Sequence, residues 1–101
     1  MSKVDLKVLN KNVGRIIRVT RLRKCETQLG LGSEVNLSGN QIGRIERGIG
    51  NPTIKTLYNI CTYLSITIDK LFVTQTEEKI EELEVEIKML EVLLKKKNRK
   101  K

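Results

Sequence analysis

The side chains that could carry chemistry in this chain are few in kind. Among its 101 residues there is no histidine, so no imidazole base, charge-relay triad or His-ligated metal site can be built. The two thiols, Cys25 and Cys61, are too few for a disulfide scaffold or a four-ligand zinc site. Cys25 lies in a basic stretch, which admits a redox-switch reading, whereas Cys61 falls on an apolar helical face and reads as core. Gly30-x-Gly32 is half of a dinucleotide fingerprint, without its third glycine or a preceding strand. No nucleophile–base pair, metal cluster or phosphate-cradling loop is left, so the expectation is a protein that is not an enzyme and uses neither cofactor nor metal. What the chain has in quantity is cationic nitrogen. Twenty Lys and Arg against 12 Asp and Glu give a formal +8, which points toward a polyanionic partner.

The elements that must position this charge are helical. Residues 1–73 hold a net charge of about +7 and residues 74–101 only about +1, with Glu77 to Glu91 leading and Lys95 to Lys101 closing the chain. That division predicts an arm over 1–12, a body over 13–73 and a C-terminal helix with a basic end over 74–101. In the body, Val13, Ile16, Ile17 and Thr20 recur at helical spacing beside Arg15, Arg18, Arg21 and Arg23, the pattern of an amphipathic first helix. Thr27 can cap a second helix that buries Leu31 and Val35 and ends at Asn36, a residue that tolerates the left-handed conformation. The glycines at 30 and 32 should make it the softest helix, each costing about 1 kcal/mol relative to alanine. Ser38-Gly39-Asn40-Gln41 has the S-x-x-Q form of a capping box, so a third helix should start there, bury Ile42 and Ile45, and stop at Gly48. Thr53 caps a fourth helix with Ile54, Leu57, Ile60, Cys61 and Leu64 as its apolar set, and Thr67 starts a short fifth with Ile68, Leu71 and Phe72. The uninterrupted apolar runs are only a few residues long and the charged start lacks the apolar stretch of a signal peptide, so no membrane partner and a cytoplasmic location are expected.

Two helices joined by a turn of a few residues, inside a basic all-helical domain, form the arrangement that inserts a helix into the DNA major groove. The stretch from Gln28 to Gly48, QLGLGSEVNLSGNQIGRIERG, followed by NPTIKTLYNICTYLSITIDKLF, resembles the Cro/phage-repressor-type helix-turn-helix family, also called the xenobiotic-response-element family. The resemblance covers roughly residues 13–72 and is carried by Thr27-Gln28, Ile42-x-x-Ile45-Glu46-x-Gly48, Pro52 with Leu57, and Leu71-Phe72. It implies an all-α fold with a five-helix repressor-like DNA-binding domain, and the spacing of the residues beyond it adds a C-terminal coiled-coil helix.

The resemblance also implies roles. Gly39, Asn40 and Arg44 align with positions directed at base edges, with Gln41 beside them; Asn can bond adenine and Arg guanine in bidentate fashion, while Gly39 offers only backbone. Gln41 has a competing role in the capping box. Thr27 and Gln28 at the start of the second helix, and Arg47, Asn51 and Lys55 beyond the third, are the expected phosphate contacts. Arg21 and Glu46 match an ion pair that joins the first and third helices in related domains. Asn36 stands where a glycine is usual and Cys25 where a helix-ending glycine is common, so the first connection is expected to differ.

The tail supplies the expectation of an oligomer. Thr74-x-x-Glu77 has capping-box form, and Ile80, Leu83, Ile87, Leu90 and Leu94 follow at 3- and 4-residue spacing, a coiled-coil stripe through which the chain should form a homodimer. The competing reading is a helix folded back on its own body. Val85, Met89, Val92 and Leu93 lie on the opposite face, for the body or a further subunit, so higher oligomers stay open. The function these features imply is a sequence-specific double-stranded DNA-binding transcriptional regulator, a dimeric repressor on a pseudo-palindromic operator. The alternatives are the antitoxin half of a toxin–antitoxin pair, its C-terminal helix gripping a protein partner, and a coiled-coil protein-interaction adaptor.

Overall fold

The computed structural model describes residues 5–99. It is built from α1 (Leu6–Arg23), α2 (Gln28–Val35), α3 (Gly39–Glu46), α4 (Ile54–Leu64), a 3₁₀ turn (Ile68–Phe72) and α5 (Glu77–Arg99), with no strand among the described residues. Each start has a local cause. Asp5 caps α1 by accepting from the amides of Lys7 and Val8; Thr27, Ser38 and Thr53 cap α2, α3 and α4. The expected capping box is complete: Ser38 Oγ accepts from Gln41 N at 3.0 Å and Gln41 Oε1 accepts from Ser38 N at 2.8 Å. Asn36 closes α2 in the left-handed conformation, at φ 60°.

Two boundaries fall elsewhere than expected. The first helix begins at Leu6 rather than Val13, so residues 6–12 of the expected arm form its opening turns; the Asp5 cap and Leu9, one turn before Val13, extend the helical pattern. Residues 1–4 lie outside the described part. At the tail, Thr76 rather than Thr74 caps the helix, its Oγ1 accepting from Lys79 N at 3.1 Å.

One core joins α1 to α4 and the 3₁₀ turn around Ile17, Leu31, Ile42, Ile60, Leu64 and Leu71, all fully buried. Ile54, expected in this core, is 77% exposed: it shares a helical face with Leu57 and Cys61 but is the first residue of α4, about a turn before Leu57, the first buried residue of that helix. Gly32, read from sequence as a local cost, lets the turn close tightly: a Cβ there would sit 2.4 Å from the Leu37 carbonyl oxygen, so with a side chain the backbone between α2 and α3 would have to shift.

A second core corrects the expectation for the tail. Leu83 and Ile87 are buried against Val19 and Leu22 of α1, with Leu90 and Leu94 packed beside them and Ile80 half-buried. Of the stripe Ile80, Leu83, Ile87, Leu90 and Leu94, expected to pair with a second chain, the last four residues are therefore packed on the chain's own first helix. The reason lies in α1, which is apolar on two sides: Val13 and Ile17 face the main core, Val19 and Leu22 face α5, and Ile16 touches both. Charge fixes the docking. Arg15 pairs with Glu84 at 2.9 Å, Arg23 with Glu86 at 2.7 Å, and Arg18 with Glu91. Gln75 locks the approach to α5, accepting from Arg15 Nη1 at 2.8 Å and donating to the Asn12 carbonyl at 3.0 Å.

Candidate nucleic-acid interface

The interface is built outward from a buried ion pair. Arg21 of α1 and Glu46 at the end of α3 are 3% and 5% exposed and meet in a two-point contact, Nε to Oε2 at 2.6 Å and Nη2 to Oε1 at 3.0 Å. The remaining Arg21 nitrogen, Nη1, donates to the Glu26 carbonyl at 2.6 Å, so one guanidinium holds α1, α3 and the connection before α2. Gln28 donates from Nε2 to the same Glu46 carboxylate at 3.0 Å. A carboxylate that accepts from both Arg21 and Gln28 sets the angle between α2 and α3, while the wholly buried Ile42 anchors the inner side of α3.

With α3 held so, its outer side lies open. Asn40 and Arg44, four residues apart on one helical face, are exposed and make no side-chain hydrogen bond or ion pair among the described residues. Gly39 backs onto the first turn of α2, where a Cβ would lie 3.3 Å from Leu29 N, which brings the N-terminal ends of α2 and α3 side by side. Both ends present amide N–H groups, the arrangement that favours an anion. Thr27 is occupied in part by its cap, accepting from Gly30 N at 2.9 Å. Arg47 folds along α3 toward Gln28, and the two meet over Gly43: a Cβ on Gly43 would be 3.2 Å from Arg47 Nη1 and 3.3 Å from Gln28 Nε2. Gly43 was not singled out from the sequence, although a glycine inside an eight-residue helix was the available signal.

The other expected site residues divide. Gln41, Arg44 and Asn51 line one groove between α3 and the loop before α4, together with Leu37, Pro52 and Thr56. Gln41 commits its carbonyl oxygen to the capping box and keeps only its amide N–H groups for a ligand. Lys55 stands exposed on the first turn of α4, outside that groove.

Elsewhere the ionisable groups are structural. The Glu26 carboxylate accepts from the Tyr63 hydroxyl, ties α4 to the α1–α2 connection and pushes the phenol up to about 12. Burial raises the Cys61 thiol, as expected of a core cysteine. Cys25 is exposed and adopts φ 58°, the left-handed position that ends a helix, so the connection is made without the usual glycine. Among the described residues no cluster of three or more Cys, Asp or Glu could hold a metal ion, and no helix is long and apolar enough to cross a membrane.

A short helix pair, locked at a fixed angle with one polar, cation-bearing outer face, defines the class: a DNA-binding helix-turn-helix protein. Residues 27–71 match the family model described as helix-turn-helix, which supports a Cro/repressor-type helix-turn-helix over that segment. The protein is thereby a DNA-binding transcriptional regulator whose partner is double-stranded DNA. Among curated proteins no match to the chain is found.

Proposed function

We propose that the protein is a sequence-specific transcriptional repressor that binds a pseudo-palindromic operator as a dimer and acts by occupying it. The observation that carries the reading is the pair Asn40 and Arg44, exposed on one face of a helix whose other side is fixed by Ile42 and Glu46. Arg44 is assigned to guanine and Asn40 to adenine in the major groove; Gly39 contributes backbone and Gln41 its amide N–H. Thr27, Gln28, Arg47, Asn51 and Lys55 are assigned to phosphates, which position α3 and carry the salt dependence. Residues 6–72 act as the DNA-binding body, and α5 braces it through α1 instead of forming a free coil.

Selection of bound sites from random duplex DNA tests the proposal. A dyad-symmetric consensus with half-sites about 34 Å apart, or a multiple of that, is expected for a two-fold dimer with one recognition helix per half-site. Enrichment of no sequence, with binding that only follows salt, overturns it.

A further inference from the structure

Opposite the side that lies on α1, α5 turns a second apolar stripe to solvent. Val85, Met89, Val92 and Leu93 fall at i, i+4, i+7 and i+8 on one face, and each is between 53% and 63% exposed. Single exposed hydrophobes are ordinary, but four on one helical face mark an interaction surface. Its two ends carry opposite charge. Glu78 and Glu82 continue the stripe toward the start of α5, and Lys96 continues it toward the end, all three exposed.

We propose that this face binds a second copy of the same chain, α5 against α5 and antiparallel, about a two-fold axis at Met89. The charge pattern selects both the occupant and the orientation. With Met89 on the axis, Val85 falls opposite the partner's Leu93, and Glu82 falls opposite the partner's Lys96, twice by symmetry. A parallel pair would set Glu82 on the partner's Glu82 and Lys96 on the partner's Lys96, repelling at both ends. The apolar centre supplies the attraction and the acidic and basic ends supply the register. A helix of 23 residues is about 34 Å long, a contact line long enough for a dimer of two such faces. The stripe on the other side of α5 is unavailable, because Leu83 and Ile87 are already buried on α1.

This inference deepens the dimeric form of the function proposed above, and its test is read without DNA, so it can fail while sequence-specific DNA binding stands. Sedimentation equilibrium of the full chain over a dilution series is the measurement, with circular dichroism to confirm that each variant is helical. The wild type should be a dimer and Met89→Glu a monomer. Glu82→Lys and Lys96→Glu should each weaken association by about tenfold or more, since each replaces two attractions with two repulsions. The combined Glu82→Lys/Lys96→Glu chain should return to within about threefold of wild type, a recovery that only the antiparallel register allows. A monomeric wild type, a Met89→Glu chain that stays dimeric, or a double variant no better than the singles each overturns the proposal.

Discussion

The arginines of α1 and those in and just after α3 are the same residue type in one small domain, yet they face different surroundings. Arg15, Arg18 and Arg23 end on Glu84, Glu91 and Glu86 of α5, and Arg21 ends on Glu46 inside the protein. Arg44 and Arg47 have no carboxylate within ion-pair distance among the described residues and stand on the outer side of α3. The glutamates of α5 thus answer the cations on the back of the body and leave Arg44 and Arg47 without a carboxylate partner among the described residues. A net charge of +8 describes neither side. What a polyanion meets is the unanswered part of the charge, and its position is set by where an acidic helix docks.

The largest expected effect lies on the inner member of this comparison. Glu46→Ala should cost about 3–5 kcal/mol in urea unfolding, because it leaves Arg21 charged and buried without its partner. Since a domain of this size has about 5–15 kcal/mol in all, such a chain should be close to unfolding. Leu83→Ala should cost about 2–5 kcal/mol, and the same loss should appear in a Met89→Glu background. A loss below about 1 kcal/mol would place the α1–α5 core in doubt and restore a free coiled coil.

On the front, Arg44→Ala should cost about 1–3 kcal/mol of operator affinity and relax preference at one base position. Arg47→Ala should instead weaken all sequences alike and lower the salt slope by about one unit. Identical effects on specificity would erase the distinction between base and phosphate contacts on α3. On the back, Arg23→Ala should cost only about 0.2–1 kcal/mol, because the Arg23–Glu86 pair is half open to solvent. Arg23 holds the Glu86 carboxyl below its ordinary 4.5, so this contribution is present at neutral pH and is lost as pH falls through the lowered value. A wild-type and Arg23→Ala stability difference that persists at still lower pH would contradict the pairing. The smallest effect is spectroscopic: in a Tyr58→Phe background, Glu26→Gln should return the Tyr63 absorbance titration from about 12 toward 10.0.

Much of the front was legible in the residues. Helix starts are set by a few neighbouring atoms, so Thr27, Ser38, Gln41 and Thr53 could be read as caps, and Asn36 as a left-handed end, without knowledge of the fold. The core positions Leu31, Ile42, Ile60 and Leu64 followed from helical spacing alone. Gly32 and Gly43 were not legible as they function, because the atoms that need their missing Cβ, Leu37 O in one case and Gln28 and Arg47 in the other, are brought there by other turns of chain. The capping-box form at Thr74 misled for a similar reason: Thr74 and Thr76 both precede acidic residues, and the placement of Gln75 against Arg15 and Asn12 decides which one starts the helix.

The sequence by itself determined which segments are helices and where most of them begin, because caps and spacing are local properties. Only the tertiary structure decided which side of the tail helix is inside. Its two apolar stripes have similar composition and spacing, so periodicity could not rank them. The choice went to Leu83, Ile87, Leu90 and Leu94 because α1 offers Val19 and Leu22 between arginines that meet Glu84, Glu86 and Glu91. That complementarity joins residues more than sixty positions apart, and it exists only once the chain has folded.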